Sequence, residues 1–434
     1  MRILMLAQFY PPILGGTEQY VRALSIELVA RGYDVAVATI WHEGLAHFEI
    51  DEGVRIHRIR SSMHRIPWLF GDERRHAPPF PDPELTLELQ RVMQKEQPAI
   101  VHAHNWLVRS FLPLKVWNRT RLIISLHDYS LVCAKQALMY YDMPCSGPGI
   151  TKCLGCATSH YGPIRGIPTA LSNQVMGRIE RGAADMFLAV SQAVAENNGL
   201  VGSNQPFQVI PNFIDRNIGD DTQRSQEDMS AYLAQLPDEG YLLYVGAFLQ
   251  EKGVEVVLNA YTRMIDHICT TTDQDARKIP PLVLIGYQTA GWQVPQVPII
   301  DNDNTHKILV FKDWPHSAVM EAWKRCSMAL IPSIWSEPFG IVALEAMSMG
   351  KPIIASRIGG LSDIVVDKET GFLLPPGEDQ ALQEAIQYLL DNPEQRKHMG
   401  EMGRQRVQSF QTETVVPQIE QVYRDVVASA SKRQ

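Results

Sequence analysis

Short unbroken apolar runs, each long enough for a strand and too short for a buried helix, recur along this chain in two series. The first series opens with the most constraining segment. Residues 1–7 read as a fully buried strand, a loop with Pro11, Pro12, Gly15 and Gly16 follows, and 18–30 carries helical periodicity up to Gly32. Residues 34–40 return to a strand. Strand, glycine loop, helix, strand is a βαβ unit, and its right-handed crossover makes the two strands parallel members of one sheet. Further strands are expected at 100–104, 122–126, 186–190 and 208–210. A second series has strands at 241–245, 282–285, 308–311, 328–331 and 352–355, a helix from Val254, and helices at 340–349 and 379–390.

At 434 residues the chain exceeds what one core usually serves. The two series therefore predict an α/β protein of two doubly wound, Rossmann-like domains, 1–212 and 213–413, with a final helical stretch in 414–434. The polar segment 215–238 reads as a linker or a surface helix. Ligands of open α/β sheets sit beyond the carboxyl ends of the strands, which predicts an interdomain cleft as the site. The formal net charge of −8 gives no general field for nucleic acid. No apolar stretch reaches the length of a membrane span, and the opening run is too short for a secretion signal, so a cytoplasmic protein is expected.

Two carboxylates frame the densest motif, Ser336-Glu337-Pro338-Phe339-Gly340-Ile341-Val342-Ala343-Leu344-Glu345-Ala346. Pro338 and Gly340 put Glu337 on a loop, and Glu345 falls about two turns into the following helix. Apolar neighbours on every side argue against a merely solvated pair. The Gly15-Gly16-Thr17 turn opens the first helix, where backbone N–H groups and the helix dipole favour a phosphate; a tight turn needing positive φ is the plainer reading. No G-x-G-x-x-G pattern and no P-loop lysine is present, which disfavours a dehydrogenase or an ordinary ATPase.

In these residues the chain resembles the GT-B fold, family 4 retaining glycosyltransferases, related to glycogen and sucrose-phosphate type synthases. The paired glutamates match Glu337 and Glu345, and the glycine loop matches Gly15 and Gly16. The downstream signature appears at Gly350-Lys351-Pro352, Gly359-Gly360 and Thr370-Gly371-Phe372. The resemblance implies a nucleotide-diphosphate sugar as donor, bound by Gly15, Gly16, Lys252, Glu337, Phe339, Gly340 and Glu345. Lys252 matches the lysine that stabilises the departing diphosphate, Glu337 reaches the transferred sugar, and Glu345 holds the ribose hydroxyls. His127, followed by Asp128, resembles the cleft histidine at the reacting sugar. Retention by front-face attack without a catalytic metal, and a last helix crossing back to the first domain, are implied in the same way. Ala247 stands where the family's second phosphate-binding cation, an arginine, is usual, with Arg357 and Lys312 as candidate substitutes. Gly286-Tyr287-Gln288-Thr289 replaces a Gly-Asp-Gly-Pro turn.

Four of the six cysteines, Cys133, Cys145, Cys153 and Cys156, fall in one stretch, within an insertion near 130–165. A C-x-x-C pair with two further thiols fits structural zinc, free or redox-sensitive thiols, or an iron–sulfur site. Asp301-Asn302-Asp303 has the spacing of a metal-binding carboxylate pair, but its polar loop reads as a turn built from Asx side chains. Arg55, Arg58, Arg60, Arg65, Arg74 and Arg75 gather around Trp68-Leu69-Phe70, a mixture that fits peripheral contact with anionic lipid or a lipid-diphosphate acceptor, or a solvated face. The expected partners are thus a nucleotide sugar and a glycan, lipid-linked or small-molecule acceptor. An epimerase of the same fold and a nucleotide-sugar-binding protein without turnover remain as alternatives.

Overall fold

The computed structural model describes residues 1–13, 15–65, 76–118, 120–141, 143–215, 226–238, 240–270, 279–287 and 308–431. The Asp301 motif, Gln288, Thr289, Trp68 to Phe70, Arg74 and Arg75 lie outside the described residues. The chain forms two units. One comprises Met1–Tyr141, Cys145–Phe213 and Thr412–Gln434; the other comprises Ile214–Gln411 with Asp142–Pro144.

The strands of the first unit are β1 (Arg2–Leu6), β2 (Asp34–Ile40), β3 (Phe48–Asp51), β4 (Val54–Ile59), β5 (Ile100–Ala103), β6 (Arg121–Leu126) and β7 (Met139–Tyr140). After β8 (Met143–Pro144) it adds β9 (Met186–Ala189) and β10 (Phe207–Val209). Its main sheet runs β10-β9-β6-β5-β1-β2-β4-β3, and every pairing in it is parallel except β3 with β4. Central strands such as β2 are buried on both faces, which is why they read as unbroken Val, Ala and Ile runs. β3, at the edge, alternates exposed and half-buried residues and escapes that signature.

Helices α1 (Gly16–Ala30), α2 (Pro83–Glu96), α3 (Leu107–Lys115), α4 (Ile150–Tyr161), α5 (Pro163–Ala183) and α6 (Gln192–Asn197) belong to this unit. α2 starts where Asp82 accepts the N–H groups of Glu84 and Leu85, with Pro83 at the first helical position. The insertion expected near 130–165 is a helical hairpin that runs on to Ala183. Gly162, at φ 76°, joins its helices, and a Cβ on Gly166 would overlap the Ala157 carbonyl where α4 and α5 meet.

The second unit holds α7 (Gln226–Leu233), β11 (Leu242–Val245), α8 (Val254–Thr270), β12 (Leu282–Gly286), β13 (Ile308–Lys312), α9 (His316–Arg325) and β14 (Met328–Ile331). It continues with α10 (Ile341–Ser348), β15 (Ile353–Ser356), α11 (Leu361–Ile364), β16 (Gly371–Leu374), α12 (Asp379–Asp391) and α13 (Pro393–Val407). Its sheet is wholly parallel in the order β13-β12-β11-β14-β15-β16. The reversal of strand order beside β11 marks a doubly wound sheet. Within 215–238 the described residues include a short helix, α7, rather than linker alone.

The last helix, α14 (Thr412–Ser431), belongs to the first unit. Its Val415, Val416, Ile419, Val422 and Tyr423 share one buried cluster with Ile3 and Met5 of β1 and Leu24 of α1. The second unit has its own core around Leu242, Leu284, Leu330 and Ile354.

Candidate active site

In the second unit the sequence motifs converge through backbone contacts that only glycine permits. Gly253, at φ 72°, ends the 3-10 turn Gln250–Lys252, and a Cβ there would overlap the carbonyl oxygen of Pro332. The same turn receives the N–H groups of Ile334 and Trp335 on the Glu251 carbonyl, at 2.8 and 3.2 Å. Gly359, at φ 58°, lies against the backbone of Glu337, and the Gly360 N–H donates to the Glu337 carbonyl at 2.7 Å. A side chain at Gly359 or Gly360 would push the acidic loop away.

Held in this way, the Lys252 ammonium donates to both oxygens of Glu337, at 2.9 and 2.7 Å. The indole N–H of Trp335 and the hydroxyl of Ser333 add donors to the same carboxylate at 2.9 and 3.3 Å, and the ammonium sits 4.9 Å from the centre of the Trp335 ring. Glu345 is buried on α10, and its Oε1 lies 2.9 Å from Nε2 of His316 at the start of α9. Gly340, at φ 102°, caps α10, and Phe339 is buried. Trp335, Ser333 and His316 were not anticipated; Trp335 and Ser333 sit just ahead of Glu337, where the motif itself pointed.

Ala247 is only 4% exposed, and its carbonyl accepts the buried Tyr244 hydroxyl at 2.9 Å, so this stretch of backbone is committed to the interior. Arg357 is bonded to Asp367 at 2.6 Å and to the Leu373 carbonyl. Among the described residues its contacts do not include Lys252.

The first unit carries a second polar centre. His127 follows β6, and its Nε2 lies 3.0 Å from Nδ1 of His104. The His104 ring lies over His102, which bonds the Tyr423 hydroxyl of α14 through Nδ1 and Ser125 Oγ through Nε2, both at 2.7 Å. Burial depresses all three histidines: His127 to about 4, with Asn212 opposing the shift, His102 to about 3, and His104 well below its ordinary value. They are therefore neutral imidazoles at neutral pH. Among the described residues Nε2 of His104 has no partner. A buried N–H without an acceptor costs more than an unused lone pair, so the proton belongs on Nδ1 of His104, which donates to His127. His127 then carries its own proton on Nδ1. Asp128 does not cap His127 but accepts the Ser130 N–H at 2.8 Å. His102 and His104 occupy the same side of β5 and its extension, a period-two pair that sequence reasoning could have singled out.

At the start of α1, Gly15 is extended, with φ −176°, and neither it nor Gly16 takes positive φ. The turn is therefore not one that needs glycine for its φ. A Cβ on Gly16 would meet no atom, whereas one on Gly15 would overlap the Glu18 carboxylate, which lies back over the positive end of the helix.

Among the described residues no group of three or more His, Cys, Asp or Glu is arranged to hold an ion, although Cys145 and Cys156 lie close enough to Cys133 to act on its thiol. Cys145 and Cys156 also lie against the carbonyls of Gly147 and Met139, and the Gly149 N–H donates to the Cys153 sulfur. Cys133 is shielded, and burial raises its thiol pKa. The arginines of 55–65 each have a partner within the first unit. Arg55 pairs with Asp34 and Glu96, Arg58 is buried against Glu49, Arg65 pairs with Glu84, and Arg60 lies over the Trp41 ring.

Comparison with known proteins decides the family. The model described as glycosyl transferases group 1 matches residues 225–406, and that described as Glycosyltransferase Family 4 matches residues 14–217. The chain is a family 4 glycosyltransferase. Among its relatives, a glycogen synthase of Mycobacterium tuberculosis is 28% identical over 100% of this chain and 96% of that protein. An N-acetyl-alpha-D-glucosaminyl L-malate synthase of Bacillus anthracis is 24% identical over 96% and 95%. In structure, the transferase is similar to sucrose-phosphate synthase from Thermosynechococcus elongatus, with a TM-score of 0.67 and 22% identity over 98% and 99% of the two chains. It is also similar to the Anabaena HepE protein in complex with UDP and glucose, with a TM-score of 0.65 and 19% identity over 98% and 100%. The GT-B fold expected from the sequence is thus the fold of the structural neighbours.

Proposed function

We propose that this transferase moves a sugar from a nucleoside-diphosphate donor to an acceptor hydroxyl with retention at the anomeric carbon. The observation that carries the reading is the Lys252–Glu337 pair, one cation and one carboxylate fixed side by side by Gly253 and Gly359. In this reading the second unit binds the donor. Lys252 leaves Glu337 for the diphosphate, where it neutralises charge that grows as the C1–O bond breaks. Glu337 accepts hydrogen bonds from the sugar hydroxyls, Glu345 accepts those of the ribose, and Phe339 and Gly340 shape the loop between them. The first unit serves the acceptor side. Neutral His127 offers its Nδ1–H to the transferred sugar, and the Gly15-Gly16 end of α1 offers backbone N–H groups once the Glu18 carboxylate moves aside. The acceptor oxygen forms the new bond to C1 on the face the diphosphate leaves, and its proton passes to the departing phosphate. The complexes with UDP and glucose known for HepE support a nucleotide sugar as the donor class.

The test is release of free nucleoside diphosphate from a panel of nucleotide sugars, with wild type beside Lys252→Ala and Glu345→Ala. Wild type is expected to release one nucleotide slowly without acceptor, and Lys252→Ala to lower that rate by about a hundredfold. Glu345→Ala is expected to act chiefly on donor KM. Release that survives the loss of Lys252 overturns the assignment, and an altered sugar recovered still attached to its nucleotide would identify an epimerase.

A further inference from the structure

Helix α5 is inside out. Its inward face holds Gly166, Ala170, Asn173, Met176, Gly177 and Glu180, which are buried and, Met176 apart, small or polar. Its outward face carries Ile164, Ile167, Leu171, Val175 and Ile179, exposed by 80, 44, 47, 53 and 46%. These five follow one another at intervals of three and four residues, so they form one stripe about 22 Å long at ~1.5 Å per residue. At its C-terminal end Ile179 lines a cavity of about 750 Å³ together with Val116. Val116 is itself exposed, and the next residue, Trp117, is 88% exposed.

The charge around the stripe is one-sided. Residues 150–183, which make up α4 and α5, contain Lys152, Arg165, Arg178 and Arg181 and a single carboxylate, Glu180. That carboxylate is buried against Arg109 at 2.7 Å. In a chain of net charge −8, Arg165 and Arg178 are thus exposed on the helix that carries the stripe, and residues 150–183 hold no exposed acid. A second copy of the same surface would set cations against cations. An anionic lipid surface would accept both parts, the apolar side chains among the acyl chains and the basic ones at the headgroups.

We propose that α5, continued by Val116 and Trp117, is a docking surface for an anionic lipid bilayer, on which the helix lies in the interfacial plane. Among the described residues no helix is long and apolar enough to cross a membrane, so the contact is peripheral. This surface is distinct from the Arg55–Arg65 region, where Arg55, Arg58 and Arg65 are matched by carboxylates and Arg60 lies over the Trp41 ring. It is independent of the donor assignment.

Flotation of the full chain with vesicles tests the proposal. Binding is expected to equimolar phosphatidylcholine and phosphatidylglycerol, weakly to phosphatidylcholine alone, and less at high ionic strength. The triple variant Ile167→Ser, Leu171→Ser, Val175→Ser changes only exposed side chains and should lose on the order of tenfold or more in vesicle affinity, with unchanged melting and unchanged donor hydrolysis in solution. Arg165→Gln with Arg178→Gln should remove the preference for anionic vesicles. No binding by wild type, or equal binding by the triple variant, overturns the proposal. So does a dimer in sedimentation that the triple variant abolishes, which would assign the stripe to a second copy.

Discussion

A single methyl group at position 253 probes the contact between the Lys252 turn and the Glu337 loop. Alanine there would take φ 72° and meet the Pro332 carbonyl, so the turn bearing Lys252 and the loop bearing Glu337 must separate. Strain of this kind costs on the order of 1–3 kcal/mol. Gly253→Ala is therefore expected to lower stability by that amount in urea unfolding and to weaken nucleotide binding in calorimetry. Binding that stays at the wild-type level would show that Lys252 does not depend on this contact. The residues legible in the sequence were those whose spacing is local: Glu337 with Glu345, Lys252 with Gly253, and Gly359 with Gly360. Tyr423 was not legible because its partner His102 is 321 positions away, and nothing in either segment reports on the other.

At the scale of elements, α3 and α5 are tied through one buried cation. Arg109 donates to Glu180 and Asn173, both at 2.7 Å, and to the Pro79 carbonyl at 2.9 Å, while its guanidinium stacks on Trp106. Burial raises the Glu180 pKa and Arg109 opposes that rise, so this carboxylate depends on its partner to stay ionised. Arg109→Ala should cost about 3–5 kcal/mol in chemical denaturation, because it strands a buried carboxylate. Restoring part of that loss with Glu180→Leu in the same chain would confirm the cause, and a cost below 1 kcal/mol would refute it. Strands such as β2 and β14 were readable because burial on both faces leaves an unbroken apolar run. β3, β4 and the α4–α5 hairpin were not. The first two mix charged and apolar residues, β3 at the sheet edge and β4 beside it, and the hairpin carries internal Gly and Pro and turns its apolar residues outward.

For the molecule as a whole, the buried histidines set a pH limit. In the unfolded chain they take up protons near their ordinary value of 6.5, but in the folded chain His127 does so only near 4, His102 near 3 and His104 well below its ordinary value. Between these values the unfolded state binds more protons, so stability is full above about pH 6.5 and falls as the pH drops. Each fully shifted histidine removes about 2 kcal/mol by pH 5. Carboxylates held low by their partners, such as Asp51 and Asp185, add losses only below the ordinary carboxylate range. Urea unfolding at about pH 7 and pH 5 should differ by on the order of 4 kcal/mol through His102 and His127, with His104 acting in the same direction, and His102→Gln should remove about one proton from the slope. A flat profile would mean that these rings already titrate near their ordinary value in the folded protein.

The place of α14 in the chain bears on the order in which the protein is made. The core around Ile3, Met5 and Leu24 is completed by Val415, Ile419 and Tyr423, yet all of Ile214–Gln411 is translated in between. At about 5–20 residues per second the first unit leaves the ribosome roughly 10–40 s before its last helix exists. During that interval the cleft that α14 fills is open apolar surface on a nascent chain, a binding face for chaperones, and a message truncated before codon 412 yields a first unit that never closes.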